Sequence, residues 1–282
     1  MRGEVGVAAG LYSYAEFGVC VLGFLPIMAA SSLLHRGDPT QRKPGRWMRR
    51  LGWLTSKLTP LWDFGVEGDG PADITRRPYV VVANHESVAD PFLLTYLPWD
   101  MRWVAKEELF EIPVIGAAFR WSGDIPLRRG QGESVRAMMD TCKEALAAGI
   151  PIMMFPEGTR SKDGELLAFR DGAFRLAIEA GVPVLPLVLA GTKECRPKHS
   201  KWFGRARARV RVLAPIPTDG LTLDDVAALR DRTRDVMSEA LSDLRSSLGV
   251  SPVGPSSRPL DRQPPAAPEA RAETPARTPA AG

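Results

Sequence analysis

The sequence predicts an α/β fold: a largely parallel mixed sheet flanked by helices, with an N-terminal membrane-associated helical segment. Two observations carry this. Between residues 79 and 213 short apolar runs alternate with amphipathic segments, the pattern of strands connected by crossover helices. Ahead of them, FGVCVLGFLPIMAASSLL from Phe17 to Leu34 has no charged residue. As a helix, that run of about 18 residues extends roughly 27 Å, close to the thickness of a bilayer core of about 30 Å.

The elements follow in chain order. Pro26 interrupts the apolar run and Glu16 limits its extension backward, so a kinked, interfacial or re-entrant helix pair competes with a full span. The polar leader with Glu4 and Glu16 is unlike the short basic region of a cleaved signal peptide. Arg36, Arg42, Lys43, Arg46, Arg49 and Arg50 come next, and the tendency of basic residues to stay inside places this side in the cytoplasm. Trp47, Trp53 and Trp62 suit either an interfacial belt or a packed core. Strands are expected at 79–83, 102–105, 124–127, 150–155, 184–189 and 208–213, and helices at 133–148, 172–180 and 223–248. From residue 251 the chain is rich in Pro, Ala, Arg and Ser, with too little apolar bulk to offset the entropy of ordering. The division is therefore a membrane-associated segment at 1–60, a catalytic domain at 61–250 and a disordered tail at 251–282.

Composition narrows the class of function. Of the 282 residues, 44% are hydrophobic and 25% charged, which is enough apolar material for a sizeable core. A net charge of +4 favours anionic partners without choosing among phosphates, acidic lipids and nucleic acid. The basic stretch from Arg205 to Arg211 belongs to no nucleic-acid-reading module, so no nucleic-acid partner is expected. Cys20, Cys142 and Cys195 are dispersed, as are His35, His85 and His199, so neither a disulfide framework nor a metal centre is expected. The residue four beyond His85 is Ala89, which breaks the H-E-x-x-H zinc pattern.

The chemistry-bearing residues sit where strands end. Asn84-His85-Glu86-Ser87-Val88-Ala89-Asp90 places an imidazole and a carboxylate five residues apart at a strand-to-helix junction, where ligands of open α/β sheets bind. A hydroxyl needs a base to become a nucleophile at neutral pH, and imidazole has a suitable pKa. An aspartate on its other nitrogen would fix the tautomer and stabilise the imidazolium. The same spacing also suits a capped turn that happens to carry a histidine. Further on, a strand runs into Phe155-Pro156-Glu157-Gly158-Thr159-Arg160-Ser161. There Gly158 permits close backbone approach, Arg160 can grip a phosphate bidentately, Thr159 adds a hydroxyl, and Glu157 can orient Arg160 or meet a substrate hydroxyl. A strand-ending turn with a surface ion pair is the plainer alternative. Arg128 and Arg129 end a further strand, as a second phosphate contact or a solvated edge.

In this order NHESVAD, GDIPLRRG, FPEGTRS and VPVLPLVLAG resemble the four sequence blocks of the glycerolipid acyltransferases, over about residues 79–192. The resemblance implies transfer of an acyl group from acyl-CoA or acyl carrier protein to a lysophospholipid, with no cofactor and no metal in the chemistry, by an enzyme attached to membranes through its N-terminal helices. It implies His85 as general base, Asp90 as its orienting carboxylate, and Arg129, Glu157, Gly158 and Arg160 around the acceptor phosphate. Ser87 agrees with a serine frequent in the family at that place. Arg128 stands where many relatives have an acidic residue. FPEGTRS favours 1-acylglycerol-3-phosphate as acceptor over glycerol 3-phosphate, while other lysolipids, lyso-ornithine lipids and glycolipid precursors remain alternatives.

Overall fold

A computed structural model of the chain describes residues 7–38, 40–161, 164–196 and 202–250. The Pro/Ala-rich tail expected at 251–282, and His199, lie outside the described residues.

Two helices open the described chain, α1 (Val7–Leu34) and α2 (Arg42–Leu58), packed against each other. The α1 helix is longer than the uncharged run. Glu16 does not end it, because the carboxylate is buried and accepts a hydrogen bond from Cys20 Sγ at 3.1 Å. Pro26 also lies inside the helix. Ser13 of α1 reaches Thr59 beyond the end of α2 through their hydroxyls at 3.1 Å, which pins the pair together. The outer face of α1 is apolar: Val19, Leu22 and Leu33 are each about 70% exposed. Among the described residues α1 is the one helix long and apolar enough to cross a membrane. The α2 helix turns the other way, with Leu51 and Thr55 buried.

The sheet has seven strands: β1 (Trp62–Glu67), β2 (Val80–Ala83), β3 (Arg102–Lys106), β4 (Ile125–Leu127), β5 (Ile152–Met154), β6 (Val184–Ala190) and β7 (Ala206–Val212). Their spatial order is β1-β7-β6-β2-β5-β3-β4, and every neighbouring pair is parallel except β6 with β7. The expected mixed, largely parallel sheet is therefore present. The β1 strand was not expected: WDFGVE mixes two acidic residues and a glycine with its apolar positions, the signature of an edge rather than a core strand. Its acids meet the basic residues of β7, Asp63 with Arg207 and Arg209, Glu67 with Arg211. Trp62 stacks on Phe64 with ring centroids 5.1 Å apart, so it packs on the sheet edge.

Short helices α3 (Asp90–Leu94), α4 (Glu108–Glu111) and α5 (Ile115–Ser122) follow β2 and β3, and the longer α6 (Gly132–Ala147), α7 (Gly172–Ala180) and α8 (Val226–Leu248) complete the layers. The central strands bury both faces, with residues alternating between them. Val80, Val82, Ile152, Met154, Val184 and Val188 face α6–α8 through Met138, Phe174, Met237 and Leu241. Val81, Ala83, Met153, Leu185, Leu187 and Leu189 face the opposite layer through Leu93, Leu94, Met101 and Trp103.

Candidate active site

Parallel pairing brings three strand ends side by side. With Val82 opposite Met154 on β5 and Ala83 opposite Leu187 on β6, the chain leaves β2 for His85 between the exits of its two neighbours. The β5 exit supplies Phe155 to Ser161, and the β6 exit supplies Gly191 and Thr192. Gly191 is required at its bend: its φ is +91°, and a Cβ there would come within 2.1 Å of the Arg207 carbonyl oxygen.

The loop after β2 is anchored before it does any chemistry. Asn84 bridges to β6, its amide donating to the Leu189 carbonyl at 2.9 Å and its oxygen accepting the Leu189 N–H at 2.8 Å. His85 Nδ1 lies 2.6 Å from Asp90 Oδ2. That oxygen also accepts the backbone N–H groups of Glu86 at 2.8 Å and Ser87 at 3.0 Å, while Oδ1 accepts the Thr192 hydroxyl. Asp90 is fully buried and ringed by donors, so it is present as an acceptor. Its histidine partner must therefore donate from Nδ1, leaving the lone pair on Nε2. The imidazole stacks on Phe155, ring centroids 4.1 Å apart and planes at 17°, and its side chain keeps 18% of its surface exposed. A base with a fixed tautomer and one free nitrogen at an accessible strand end is what removal of a hydroxyl proton needs.

The turn after β5 wraps around this histidine. Glu157 Oε1 accepts the His85 backbone N–H at 2.8 Å and Oε2 the Leu167 N–H at 3.2 Å, while Ser161 N–H donates to the His85 carbonyl at 2.8 Å. Glu157 is buried, and among the described residues its partners are these backbone groups rather than Arg160, so it clamps the loops instead of orienting the arginine. Burial raises its pKa to about 7 in spite of both hydrogen bonds. Gly158 adopts φ +68° at the apex, with Thr159 and Arg160 exposed beside it. Arg129 is exposed at the end of β4. Two strand spacings, about 10 Å, separate β4 from β5 across the sheet. The sequence-predicted residues thus form two groups, His85 with Asp90, and the Glu157–Arg160 turn with Arg129 on its flank.

Several contributors were not anticipated. Thr192 and Phe155 act directly on Asp90 and His85, and both lie inside quoted motifs or one residue past them. Glu86 is buried and paired with Arg245 of α8 at 2.7 Å. Burial and then the charge of Asp90 raise the Glu86 pKa to about 7, against Arg245 and Lys193. The Arg245 signal was absent from sequence, since it lies 159 positions from its partner.

Known proteins resemble this chain in sequence and in fold. A model of the acyltransferase family matches residues 66–190. Human 1-acyl-sn-glycerol-3-phosphate acyltransferase alpha is 39% identical over 217 residues, covering 76% of this chain and 75% of that protein. The human beta enzyme is 31% identical over 230 residues, 79% of this chain and 81% of its own. Among solved structures, the 1-acyl-sn-glycerophosphate (LPA) acyltransferase PlsC from Thermotoga maritima superposes with a TM-score of 0.68 at 26% identity, covering 85% of this chain and 96% of that one. Sequence likeness over three quarters of the chain and a shared fold agree with the histidine–aspartate geometry: the chain belongs to the acyltransferase family and is an O-acyltransferase.

Proposed function

We propose that this enzyme transfers a fatty acyl group from acyl-CoA or acyl carrier protein to the free hydroxyl of 1-acylglycerol-3-phosphate, giving phosphatidate, at the cytoplasmic face of a membrane. The observation that carries the reading is the 2.6 Å contact of His85 Nδ1 with a fully buried Asp90, beside a turn whose arginine is exposed. The names of the relatives and of the structural neighbour support the acceptor.

The reaction uses two substrates and no cofactor. As the acceptor oxygen attacks the thioester carbonyl, Nε2 of His85 takes its proton, and Asp90 stabilises the imidazolium that forms. The tetrahedral intermediate collapses with cleavage of the carbon–sulfur bond, and the imidazolium returns the proton to the departing thiolate. The products are the ester and the free thiol, and His85 ends as it began. Arg160, Thr159 and Arg129 hold the phosphate, placing the hydroxyl beside the imidazole. The apolar outer face of α1 seats the domain on lipid, and Arg46 and Arg50 of α2 favour the cytoplasmic side.

The test is acyl transfer by the purified chain across a panel of lysolipids, with both donor types. Lysophosphatidate is expected to be the best acceptor, and His85→Ala to lose at least about 10³-fold in kcat while remaining folded. Faster transfer to a phosphate-free lysolipid would overturn the acceptor assignment, and near-normal turnover by His85→Ala would remove His85 from the mechanism.

A further inference from the structure

Several surface arginines are matched with acids: Arg128 with Glu107, Arg175 with Glu179, Arg230 with Asp171, and Arg46 with Asp100. Two stand apart. In the pair Arg128-Arg129 the first takes Glu107, and in Arg170-Asp171 the acid takes Arg230 at 2.6 Å. Arg129 and Arg170 are left with no hydrogen-bonding or ion-pair partner among the described residues, as is Arg160.

Arg170 is tied to the turn that cups His85. Its backbone N–H donates to the Pro156 carbonyl at 2.8 Å, and its side chain lies across Gly158: a Cβ there would meet Arg170 Nε at 2.7 Å and Cδ at 3.1 Å. The absence of a side chain at residue 158 is what lets the guanidinium settle over the turn. Arg129, at the end of β4, lies within electrostatic reach of Arg170. Partial burial and then the positive charge of Arg170 lower the Arg129 pKa, with Glu108 opposing, and Glu108 is itself held by Lys106 at 2.7 Å. Unmatched guanidiniums gathered at one place repel one another, and a multivalent anion relieves that cost with bidentate hydrogen bonds.

We propose that Arg170 is a substrate-binding residue, its guanidinium gripping the acceptor phosphate over Gly158 together with Arg129 and Arg160. The assignment rests on the phosphate-bearing acceptor proposed above. It makes Arg170 a residue of specificity for the phosphate rather than of proton transfer.

The test measures glycerol 3-phosphate binding to the full chain in detergent, and steady-state transfer to lysophosphatidate, for the unsubstituted enzyme, Arg170→Ala, Arg170→Gln and Arg170→Lys. Arg170→Ala and Arg170→Gln are expected to weaken glycerol 3-phosphate binding about tenfold and raise the lysophosphatidate KM similarly with kcat within about twofold, while Arg170→Lys recovers most of the affinity. Gln keeps part of the aliphatic stem over Gly158, which guards against a folding defect in the alanine variant. No saturable binding to the unsubstituted chain, unchanged affinity in Arg170→Gln, or a loss confined to kcat would overturn the assignment. Arg170-dependent binding of glycerol 3-phosphate by an enzyme that fails to acylate lysophosphatidate would sink the acceptor reading while leaving Arg170 in place.

Discussion

The loop 84–90 and the turn 155–161 leave neighbouring parallel strands, yet they are built in opposite ways. In the first, the Asp90 carboxylate is saturated with donors, Asn84 is bonded through both ends of its amide, and one imidazole nitrogen is left over. The second uses its buried Glu157 to hold the backbone and leaves Thr159 and Arg160 exposed. Proton transfer gains from a base whose tautomer and orientation are settled beforehand, because any reorganisation adds to the barrier. Binding gains from cations that nothing has yet neutralised. Substitutions in the first region should therefore act on kcat, and those in the second on KM.

Beyond His85 itself, the largest effect should come from Asp90→Asn. An asparagine can keep its carbonyl toward His85 and turn its amide toward Thr192, so the fold survives, but the charge that stabilises the imidazolium is gone. The kcat is expected to fall about 10²- to 10⁴-fold with KM little changed. A matching rise in KM would break the proposed division of labour. Arg160→Ala probes the other side: KM for lysophosphatidate should rise about tenfold and kcat stay within a few-fold. Thr192→Val sharpens the first region further. It removes the sole side-chain donor to Asp90 Oδ1 among the described residues while leaving the backbone donors to Oδ2, so kcat should fall only several-fold. Steady-state kinetics of the three variants on one acceptor decide all of these.

Legibility from sequence followed how local each feature was. The β2, β5 and β6 strands announce themselves as VVVA, IMM and VLPLVLA, because strands buried on both faces need continuous apolar runs. The spacing of His85 and Asp90 at a strand end allowed their contact but suited a capped turn equally, and the other three blocks were needed to favour the first reading. Glu157 was singled out in the sequence, but nothing in PEGTR reveals that its carboxylate accepts the backbone N–H groups of His85 and Leu167. The β1 strand stayed hidden because its acids matter only opposite Arg207, Arg209 and Arg211 of β7, some 144 to 146 positions away. Arg170 was passed over for a related reason: its place over Gly158, twelve positions earlier, is a tertiary contact that spacing does not reveal.

The smallest effect concerns the carboxyls that hold the two regions together. Glu86 and Glu157 both have pKa values raised from 4.5 to about 7. Between those values the unfolded chain has released each proton while the folded chain retains it, so the folded state binds more protons and stability falls as pH rises from about 4.5 to 7. Carboxyls held low by partners, such as Asp231 beside Arg230, act below this window. Melting temperature should accordingly decline by several degrees between pH 5 and about pH 8, above which both groups are ionised in the folded chain and contribute no further slope. Glu86→Gln removes one of the two groups and should flatten the decline by about half, with thermal melts at several pH values as the measurement. The variant also takes the buried partner of Arg245 away, so its melting temperature at pH 7 is the sharper comparison. If Gln is at least as stable there, the ion pair costs in desolvation about what it returns, and α8 holds the catalytic loop through packing and the Gly164 carbonyl rather than through charge. A large loss at pH 7 would instead make Glu86 a charged anchor of the preorganised region, ionised in the folded enzyme, and the pH slope would vanish with that conclusion.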